Sequence, residues 1–144
     1  MKLDFFILAD GVNVAEGKVY IHGGAITRIH PPSFPSPPLG VTAAIRLLVE
    51  PEEFDASSHS IVLDFRRRDG SDSWSTILDG EMHFDPRPSD THEGEDQGFL
   101  VVAQMGLAFP DPGAREIRLR IDGQELATRG LFVTALDDQE RPVK

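Results

Sequence analysis

Short apolar segments with a period of two residues recur along this chain, and helical periodicity is nearly absent. Gly or Pro interrupts most stretches in which apolar residues recur at a spacing of three or four. Strands are predicted near residues 3–10, 12–15, 18–28, 41–50, 59–67, 73–84, 98–108, 115–121 and 125–135. Many short strands with little helix predict an all-β fold, a two-sheet antiparallel Greek-key β-sandwich of the immunoglobulin-like kind, with a jelly roll as the alternative.

Glycine-containing turns predict hairpins and the residues that face one another in them. The Glu16-Gly17 hairpin is predicted to pair Val14 with Val19 and Val12 with Ile21. A longer loop with Gly17 in the left-handed region is the alternative, because Glu is a poor residue at positive φ. A slip of one residue turns every side chain to the other face, so each register is a definite prediction.

Two Asp-Gly turns give further registers, since both residue types tolerate positive φ in a two-residue loop. The Asp69-Gly70 turn predicts the pairs Arg67–Asp72, Phe65–Trp74 and Ile61–Leu78, with Trp74 in the core. The Asp122-Gly123 turn predicts the pairs Arg120–Glu125, Leu119–Leu126 and Glu116–Arg129. Pairs of this kind contribute about 0.2–1 kcal/mol each.

Two segments are not predicted as strands. Residues 31–38 contain five prolines, which cannot donate ladder hydrogen bonds, so they are expected to form an extended connection. Residues 85–97 combine prolines with several acidic residues and are expected to form a long, mobile acidic loop. Neither segment leaves enough strands on one side to close a separate core. Residues 1–144 are therefore predicted to be a single β-sandwich domain.

Composition excludes several classes of protein. The chain has no cysteine, which rules out disulfides, thiolate catalysis and cysteine-based metal sites. Its formal net charge of −10 disfavours nucleic acid and anionic membranes as partners. The apolar run 5–9 is too short to span a bilayer, and the N-terminus lacks the apolar region of a signal peptide. We expect a cytoplasmic protein, and the use of Arg over Lys suggests a GC-rich bacterial genome.

Candidate binding residues lie in two charged segments. Those of the acidic loop are Asp90, Glu93, Glu95 and Asp96. They could bind a basic partner or a cation, since hard cations need several oxygen ligands. The basic run 66–68 supplies Arg66 and Arg67 as candidates for holding an anion such as phosphate. Acidic residues directly after that run favour a self-paired hairpin tip instead.

The residues that could carry catalysis form no recognisable pattern. The histidines do not lie at ligand spacing with a carboxylate, so no metal and no cofactor are predicted, although ligands can converge from distant strands in a β fold. The segment 57–60 reads Ser-Ser-His-Ser, but adjacent strand residues point to opposite faces. We therefore predict that the protein is not an enzyme. The alternative is a small metal-dependent or hydrolytic enzyme that uses His59 or His83 with nearby acids.

The segment Leu3-Asp-Phe-Phe-Ile-Leu-Ala-Asp10, followed by Glu16-Gly-Lys-Val-Tyr-Ile-His-Gly-Gly24, resembles an actinobacterial-type bacterial family known only as a domain of unknown function. The second half is similar through Phe109-Pro110, Pro112-Gly113 and Ile121-Asp122-Gly123. The resemblance implies one all-β domain and supplies no catalytic residues. The leading prediction is a non-catalytic binding or assembly module with a protein partner or a second copy of itself. The loops around 50–58 and 85–97 are the expected places for a site.

Overall fold

The computed structural model describes residues 1–54, 57–84, 92–95 and 97–135. The regular secondary structure of that part of the chain consists of strands and one short 3-10 helix, Pro51–Glu53. The strands are β1 (Lys2–Ala15), β2 (Lys18–Gly24), β3 (Arg28–Ile29), β4 (Leu39–Val49), β5 (Ser58–Arg67), β6 (Ser75–His83), β7 (Gln97–Leu107), β8 (Gly113–Ile121) and β9 (Gln124–Val133). The all-β prediction is confirmed.

The strands form two sheets with the core between them. One sheet has the order β2-β1-β4-β7, and the other has the order β3-β9-β8-β5-β6. The pairings within the described ranges are antiparallel except for the short parallel pair β3–β9. Neither sheet closes into a barrel. The predicted two-sheet β-sandwich is confirmed.

Alternation along the strands builds the core. In β8, Ile117, Leu119 and Ile121 are buried, whereas the residues between them are only partly buried. This follows because successive side chains of a strand point to opposite faces. Leu47 of β4 and Leu63 of β5 meet them in the same cluster. Full burial of each such side chain contributes about 1.5–3 kcal/mol to folding. This energy fixes which face of each strand points inward, and therefore which side chains lie on the outer faces.

The first hairpin is longer than predicted but has the predicted register. The segments 3–10 and 12–15 form one strand, because Gly11 keeps its pairing with β2. The predicted pairs Val14–Val19 and Val12–Ile21 are confirmed. Glu16 and Gly17 both have positive φ, 53° and 72°, as a two-residue type I′ loop requires.

The predicted strand 18–28 is wrong, because the structure divides it into β2 and β3. Gly23 near the end of β2 and Ala25 just after it have positive φ, which turns the chain out of the four-stranded sheet. The Ile26 N–H then donates to the Leu8 carbonyl at 2.9 Å, and β3 joins the other sheet. This crossing leaves the outer edge of β2 without a neighbouring strand among the described residues.

The register predicted at the Asp69-Gly70 turn is wrong. Phe65 already lies opposite Ser75 and not Trp74, because the connection from Arg67 to Ser75 is longer than the predicted two-residue loop allows. A bulge between Leu63 and Asp64 then inserts a further residue into β6. The observed pairs include Phe65–Ser75, Leu63–Leu78 and Ile61–Gly80. Arg67 and Asp72 are still in contact at the turn, since the Arg67 N–H donates to Asp72 Oδ1 at 2.8 Å. The turn residues do not encode the bulge further along the hairpin.

Trp74 lies outside the core, contrary to the prediction. It precedes β6 and contacts the guanidinium groups of Arg66 and Arg118, which lie 4.0 and 4.1 Å from the centroid of its ring. Arg66 follows Phe65, which packs against the core, so alternation turns Arg66 to the outer face. The tryptophan is thus part of the outer surface of the five-stranded sheet.

The β8–β9 hairpin follows the prediction only next to its turn. The pair Arg120–Glu125 is confirmed. Beyond it a bulge shifts the register, so that Leu119 lies opposite Ala127 and Glu116 opposite Gly130. The predicted pairs of Leu119 with Leu126 and of Glu116 with Arg129 are therefore wrong, because the turn residues do not fix the pairing beyond a bulge.

Residues 31–38 connect β3 to β4 and are anchored at one point. Ser36 is buried, its N–H donates to the Phe109 carbonyl, and its Oγ accepts the Phe109 N–H, both at 2.8 Å. These two hydrogen bonds satisfy the backbone N–H of Ser36 and both backbone groups of Phe109. The prolines on either side of Ser36 have no N–H to donate. It holds the connection against one end of the sandwich.

Candidate functional site

The first hairpin extends beyond the sandwich. The pairing of β1 with β4 ends at Ala9, whereas its pairing with β2 continues to the turn. We call residues 11–22 the β-arm. The arm is a two-stranded ribbon whose β2 edge has no strand beside it within the described residues.

One face of the β-arm is apolar and the other carries an exposed tyrosine. The apolar face is formed by the cross-strand pairs Val12–Ile21 and Val14–Val19. Val14 is 49% exposed, and Tyr20 on the opposite face is 48% exposed. Within the described ranges only four large apolar side chains are exposed, and two of them are these arm residues. The arm therefore concentrates apolar surface that the fold does not bury.

The outer face of the five-stranded sheet contains a buried carboxylate. Asp64 is 1% exposed and accepts hydrogen bonds from Arg120 Nε at 2.6 Å, Arg118 Nη2 at 2.8 Å and Thr76 Oγ1 at 3.1 Å. Burial raises the pKa of Asp64, but the hydrogen bonds from Arg120, Arg118 and Thr76 outweigh it and lower the pKa below its ordinary value. The carboxylate therefore stays charged, and both guanidinium groups are engaged with it.

Arg66, a candidate from the sequence, belongs to the same charged surface. Its Nε donates to Glu116 Oε1 at 2.7 Å, and its guanidinium covers one side of the Trp74 ring. The guanidinium of Arg118 also contacts the ring, at 4.1 Å from its centroid. Stacking of this kind adds about 0.5–1 kcal/mol per exposed pair. The Arg66 guanidinium therefore already contacts Glu116 and Trp74 of the same chain.

Arg67, the second basic candidate, also forms an ion pair within the chain. Its Nη1 and Nη2 both donate to the Asp111 carboxylate at 2.7 Å, a bidentate geometry. Arg115, which is buried, donates to the same carboxylate at 2.8 Å. Hydrogen bonds from Arg67 and then Arg115 hold the pKa of Asp111 below its ordinary value, with burial opposing them. The expectation of a self-paired hairpin tip fits these contacts better than an anion site.

The acidic candidates lie only partly within the described residues. Glu93 and Glu95 are exposed, and the His92 N–H donates to Glu95 Oε2 at 2.9 Å. Asp90 and Asp96 lie outside the described residues. Among the side chains that the structure describes, no group of three or more His, Asp or Glu residues is placed to hold a metal ion.

His59 belongs to a hydrogen-bonded chain of side chains that sequence reasoning missed. Its Nδ1 lies 2.7 Å from Asp122 Oδ2, and its Nε2 lies 3.3 Å from Ser57 Oγ. The order carboxylate, imidazole and hydroxyl is that of a hydrolase triad. The spacing of two between Ser57 and His59 could have signalled it, because residues two apart share a face of a strand. Asp122 could not be signalled, since it is distant in sequence.

The same contacts have a structural role. Asp122 Oδ1 accepts the Ser60 N–H at 2.9 Å, and the Asp122 N–H donates to the Ser60 carbonyl at 3.1 Å. The hydrogen bond from His59, and then that from Ser60, lowers the pKa of Asp122 against the effect of burial. Asp122 thereby ties the β8–β9 turn to the start of β5. The His59 ring also packs 5.1 Å from the ring of Phe84, which fixes its orientation.

His83, the other histidine of the enzyme alternative, is in a different environment. Its Nε2 lies 3.8 Å from Glu81 Oε2, and both side chains are exposed. An exposed pair at this distance is weak, because water screens it. The two histidines therefore differ in what they could do: His59 is held by partners on both ring nitrogens, and His83 is not oriented for proton transfer.

Two cavities lie along β1, outside the β-arm. A groove of about 410 Å³ lies between β1 and β9, where the Arg129 Nε donates to the Phe6 carbonyl at 3.0 Å. A cleft of about 380 Å³ lies where β1 diverges from β4, with Asp10 on one side and Gly40 and Val41 on the other. This cleft marks the base of the arm.

A family model matches residues 4–134, and its description is "Family of unknown function (DUF6941)". The chain belongs to this family. The DUF6941 match covers the sandwich and the whole β-arm, so the arm is part of the family's domain. Comparison with curated proteins finds no match. In the part of the chain that the structure describes, no helix is long and apolar enough to cross a membrane.

Proposed function

We propose that this protein is a non-catalytic binding or assembly module and that the β-arm is its binding element. The observation that carries the proposal is the exposure of Val14 and Tyr20 on a ribbon whose β2 edge has no neighbour in the described residues. A two-stranded hairpin alone is marginally stable in water, and a partner strand or surface would stabilise it. An unpaired edge offers a row of backbone donors and acceptors to such a partner.

The charged surfaces support the arm as the binding element, because they are already occupied. Arg66, Arg67, Arg118 and Arg120 all pair with carboxylates of this chain. Binding an anion there would require breaking these pairs. Binding at the arm would break no ion pair of this kind.

A small hydrolytic enzyme is the second candidate, favoured by the Ser57–His59–Asp122 chain. We propose instead that these residues are a clasp between β5 and the β8–β9 turn, because Asp122 also exchanges two hydrogen bonds with Ser60. A serine nucleophile also needs preorganised donors for the oxyanion. Treatment with a fluorophosphonate probe separates the two. The proposal predicts no labelling of Ser57, and stoichiometric labelling that Ser57→Ala abolishes would establish the enzyme.

The finer predictions stay part of the proposal. We propose a single domain over residues 1–144 with Greek-key, immunoglobulin-like connections, in support of which β4–β5 and β6–β7 pass from one sheet to the other. We propose a bacterial, cytoplasmic protein whose N-terminal pattern marks its family. The net charge of −10 supports a protein partner over nucleic acid or membrane. No cofactor is proposed.

Affinity capture with a matched pair of variants tests the proposed function. Val14→Thr with Tyr20→Ser removes the exposed apolar groups of the arm and keeps residues suited to a strand. Glu93→Gln with Glu95→Gln is the control in the acidic loop. We expect the arm variant to lose a partner, another protein or a further copy of the chain, that the wild type and the control retain. Loss in the control variant alone would move the binding element to the acidic loop.

A further inference from the structure

We propose that the partner is a second copy of this chain, paired antiparallel with β2 through its free edge about a two-fold axis at Tyr20. This inference rests on the proposed binding role of the β-arm and names the partner of that arm. It commits to one geometry, in which the Lys18–His22 segments of two chains lie side by side.

The sequence of β2 is suited to pairing with itself. Lys18-Val19-Tyr20-Ile21-His22 has the same pattern of residue types in both directions, with basic or imidazole ends, β-branched residues inside them and one aromatic centre. A two-fold axis at Tyr20 places Val19 opposite Ile21 of the partner subunit and the two tyrosines opposite each other. Aromatic and β-branched cross-strand pairs are among the favourable ones. A self-complementary patch is what a two-fold dimer requires.

The hydrogen bonds of the hairpin leave the backbone groups of Val19 and Ile21 available for a second strand. A two-residue loop makes Ala15 and Lys18 the hydrogen-bonded pair that closes it, and such pairs alternate along an antiparallel ribbon. Tyr20 is then bonded to Asn13, while the N–H and C=O groups of Val19 and Ile21 point away from β1. In the proposed dimer, Val19 and the partner's Ile21 exchange both hydrogen bonds, and the symmetric pair does the same.

The free edge of β2 is accessible and unprotected. Edge strands are usually blunted by proline, by a bulge or by charged side chains, and the stretch from Val19 to Ile21 has none of these. The opposite edge of the arm begins beside Gly40 and Val41 across the cleft at its base. β2 ends at Gly24, and Gly23 has positive φ, so the stretch of edge that can pair is short. A closed pair of arms, and not an extended fibre, follows.

A short strand pairing of this kind makes a small interface. Interfaces below about 1,200 Å² belong to weak or transient complexes. The dimer is therefore expected to form in the micromolar to millimolar range and to dissociate on dilution. Concentration dependence is the property that distinguishes it from a permanent assembly.

Cross-linking tests the geometry directly, because the natural chain has no cysteine. Tyr20→Cys places two thiols at a non-hydrogen-bonded pair whose Cα atoms would lie about 4.5 Å apart, within disulfide range. Asn13→Cys is the matched control: it faces Tyr20 across the hairpin, and its two copies would lie about 14 Å apart at three strand spacings. We expect Tyr20→Cys to form the disulfide dimer about tenfold faster or more under mild oxidation, since only its geometry fits. Equal rates overturn the proposal.

Sedimentation velocity of the chain over a concentration series gives the second measurement. Val19→Pro removes a donor from the free edge, and Val14→Pro removes one from the opposite edge of the same ribbon. We expect wild type and Val14→Pro to dimerise and Val19→Pro to stay monomeric, with circular dichroism confirming that both variants fold. A wild type that is monomeric at millimolar concentration overturns the proposal, as does a Val19→Pro that dimerises normally. If capture then finds a different protein on the arm, the proposed function stands while the second copy is excluded.

Discussion

The outer face of the five-stranded sheet and the β-arm are two exposed surfaces with opposite properties. On the sheet, Asp64 engages the guanidinium groups of Arg118 and Arg120, and Trp74 contacts those of Arg66 and Arg118. On the arm, Val14 and Tyr20 are half exposed, and the β2 edge has no strand beside it in the described residues. One surface is saturated by contacts within the chain, and the other is not.

This comparison indicates that a charged surface is not necessarily a surface that is free to bind a ligand. A run of arginines in a sequence suggests an anion site, but here Arg66 and Arg67 of that run already pair with Glu116 and Asp111. Rearranging such pairs to admit a ligand would expose partly buried charges, which is costly. The arm has only solvent to displace. Binding is therefore expected where contacts are missing, and stability where charges are paired.

Removing the buried carboxylate should have the largest effect on stability. Asp64→Asn keeps the size of the side chain but leaves Arg118 and Arg120 without their counter-charge. Loss of one partner of a buried pair costs about 3–5 kcal/mol, and the partial exposure of both arginines reduces the expected loss to about 2–3 kcal/mol. Urea unfolding measures the free energy.

Glu116→Gln is the control for that loss. Its single partner, Arg66, is about one-third exposed and keeps its stacking on Trp74. The expected loss is below about 1 kcal/mol. A loss for Asp64→Asn no larger than that for Glu116→Gln would contradict the description of the sheet as a saturated network centred on Asp64.

The same substitution at two valines compares the sandwich with the arm. Val41 is buried in the core, and Val14 is half exposed on the arm. Val41→Ala is expected to cost about 2 kcal/mol, from lost apolar burial and the cavity left behind. Val14→Ala is expected to cost about 0.5 kcal/mol or less when measured on the dilute monomer. Equal losses in chemical denaturation would mean that the arm is buried in the monomer and is not free for a partner.

Low pH should destabilise the five-stranded sheet and leave the arm unaffected. The pKa of Asp64 is lower in the folded chain than the unfolded value of about 3.9, so its contribution is fully present above about pH 5 and is lost as the pH falls through the folded pKa. Asp111 and Asp122 act in the same direction. Unfolding free energies measured from pH 7 downward should fall, and Asp64→Asn should show a smaller fall. An unchanged slope in that variant would assign the acid sensitivity to other groups.

The sequence determines the parts of this fold that depend on local chemistry. The Glu16-Gly17 hairpin has the predicted register because both loop residues reach positive φ and the flanking pairs are β-branched. The pair Arg120–Glu125 is right for the same local reason. Beyond it, a bulge in each of two hairpins changes the register, and a bulge depends on sheet twist and packing that the turn residues do not encode.

The candidate site was less predictable because it depends on distant residues. The predicted register places Trp74 in the core because it pairs Trp74 with Phe65, although the outward phase of Arg66 and Arg118 on their strands indicates a cationic partner. The sequence indicates Asp122 only as a turn residue, yet its carboxylate holds His59 across a long sequence separation. The exposed arm could not be inferred either, since its Val and Ile residues have the alternation of a buried strand.

Amide hydrogen exchange of the arm, followed by NMR at increasing protein concentration, tests the central claim most directly. In the monomer, the N–H groups of Val19 and Ile21 point to solvent, while the N–H of Tyr20 is bonded to β1 and serves as the internal reference. Pairing with a second copy predicts that Val19 and Ile21 become protected as concentration rises, with core amides unchanged. Exchange at Val19 and Ile21 that stays fast at every concentration would contradict the account.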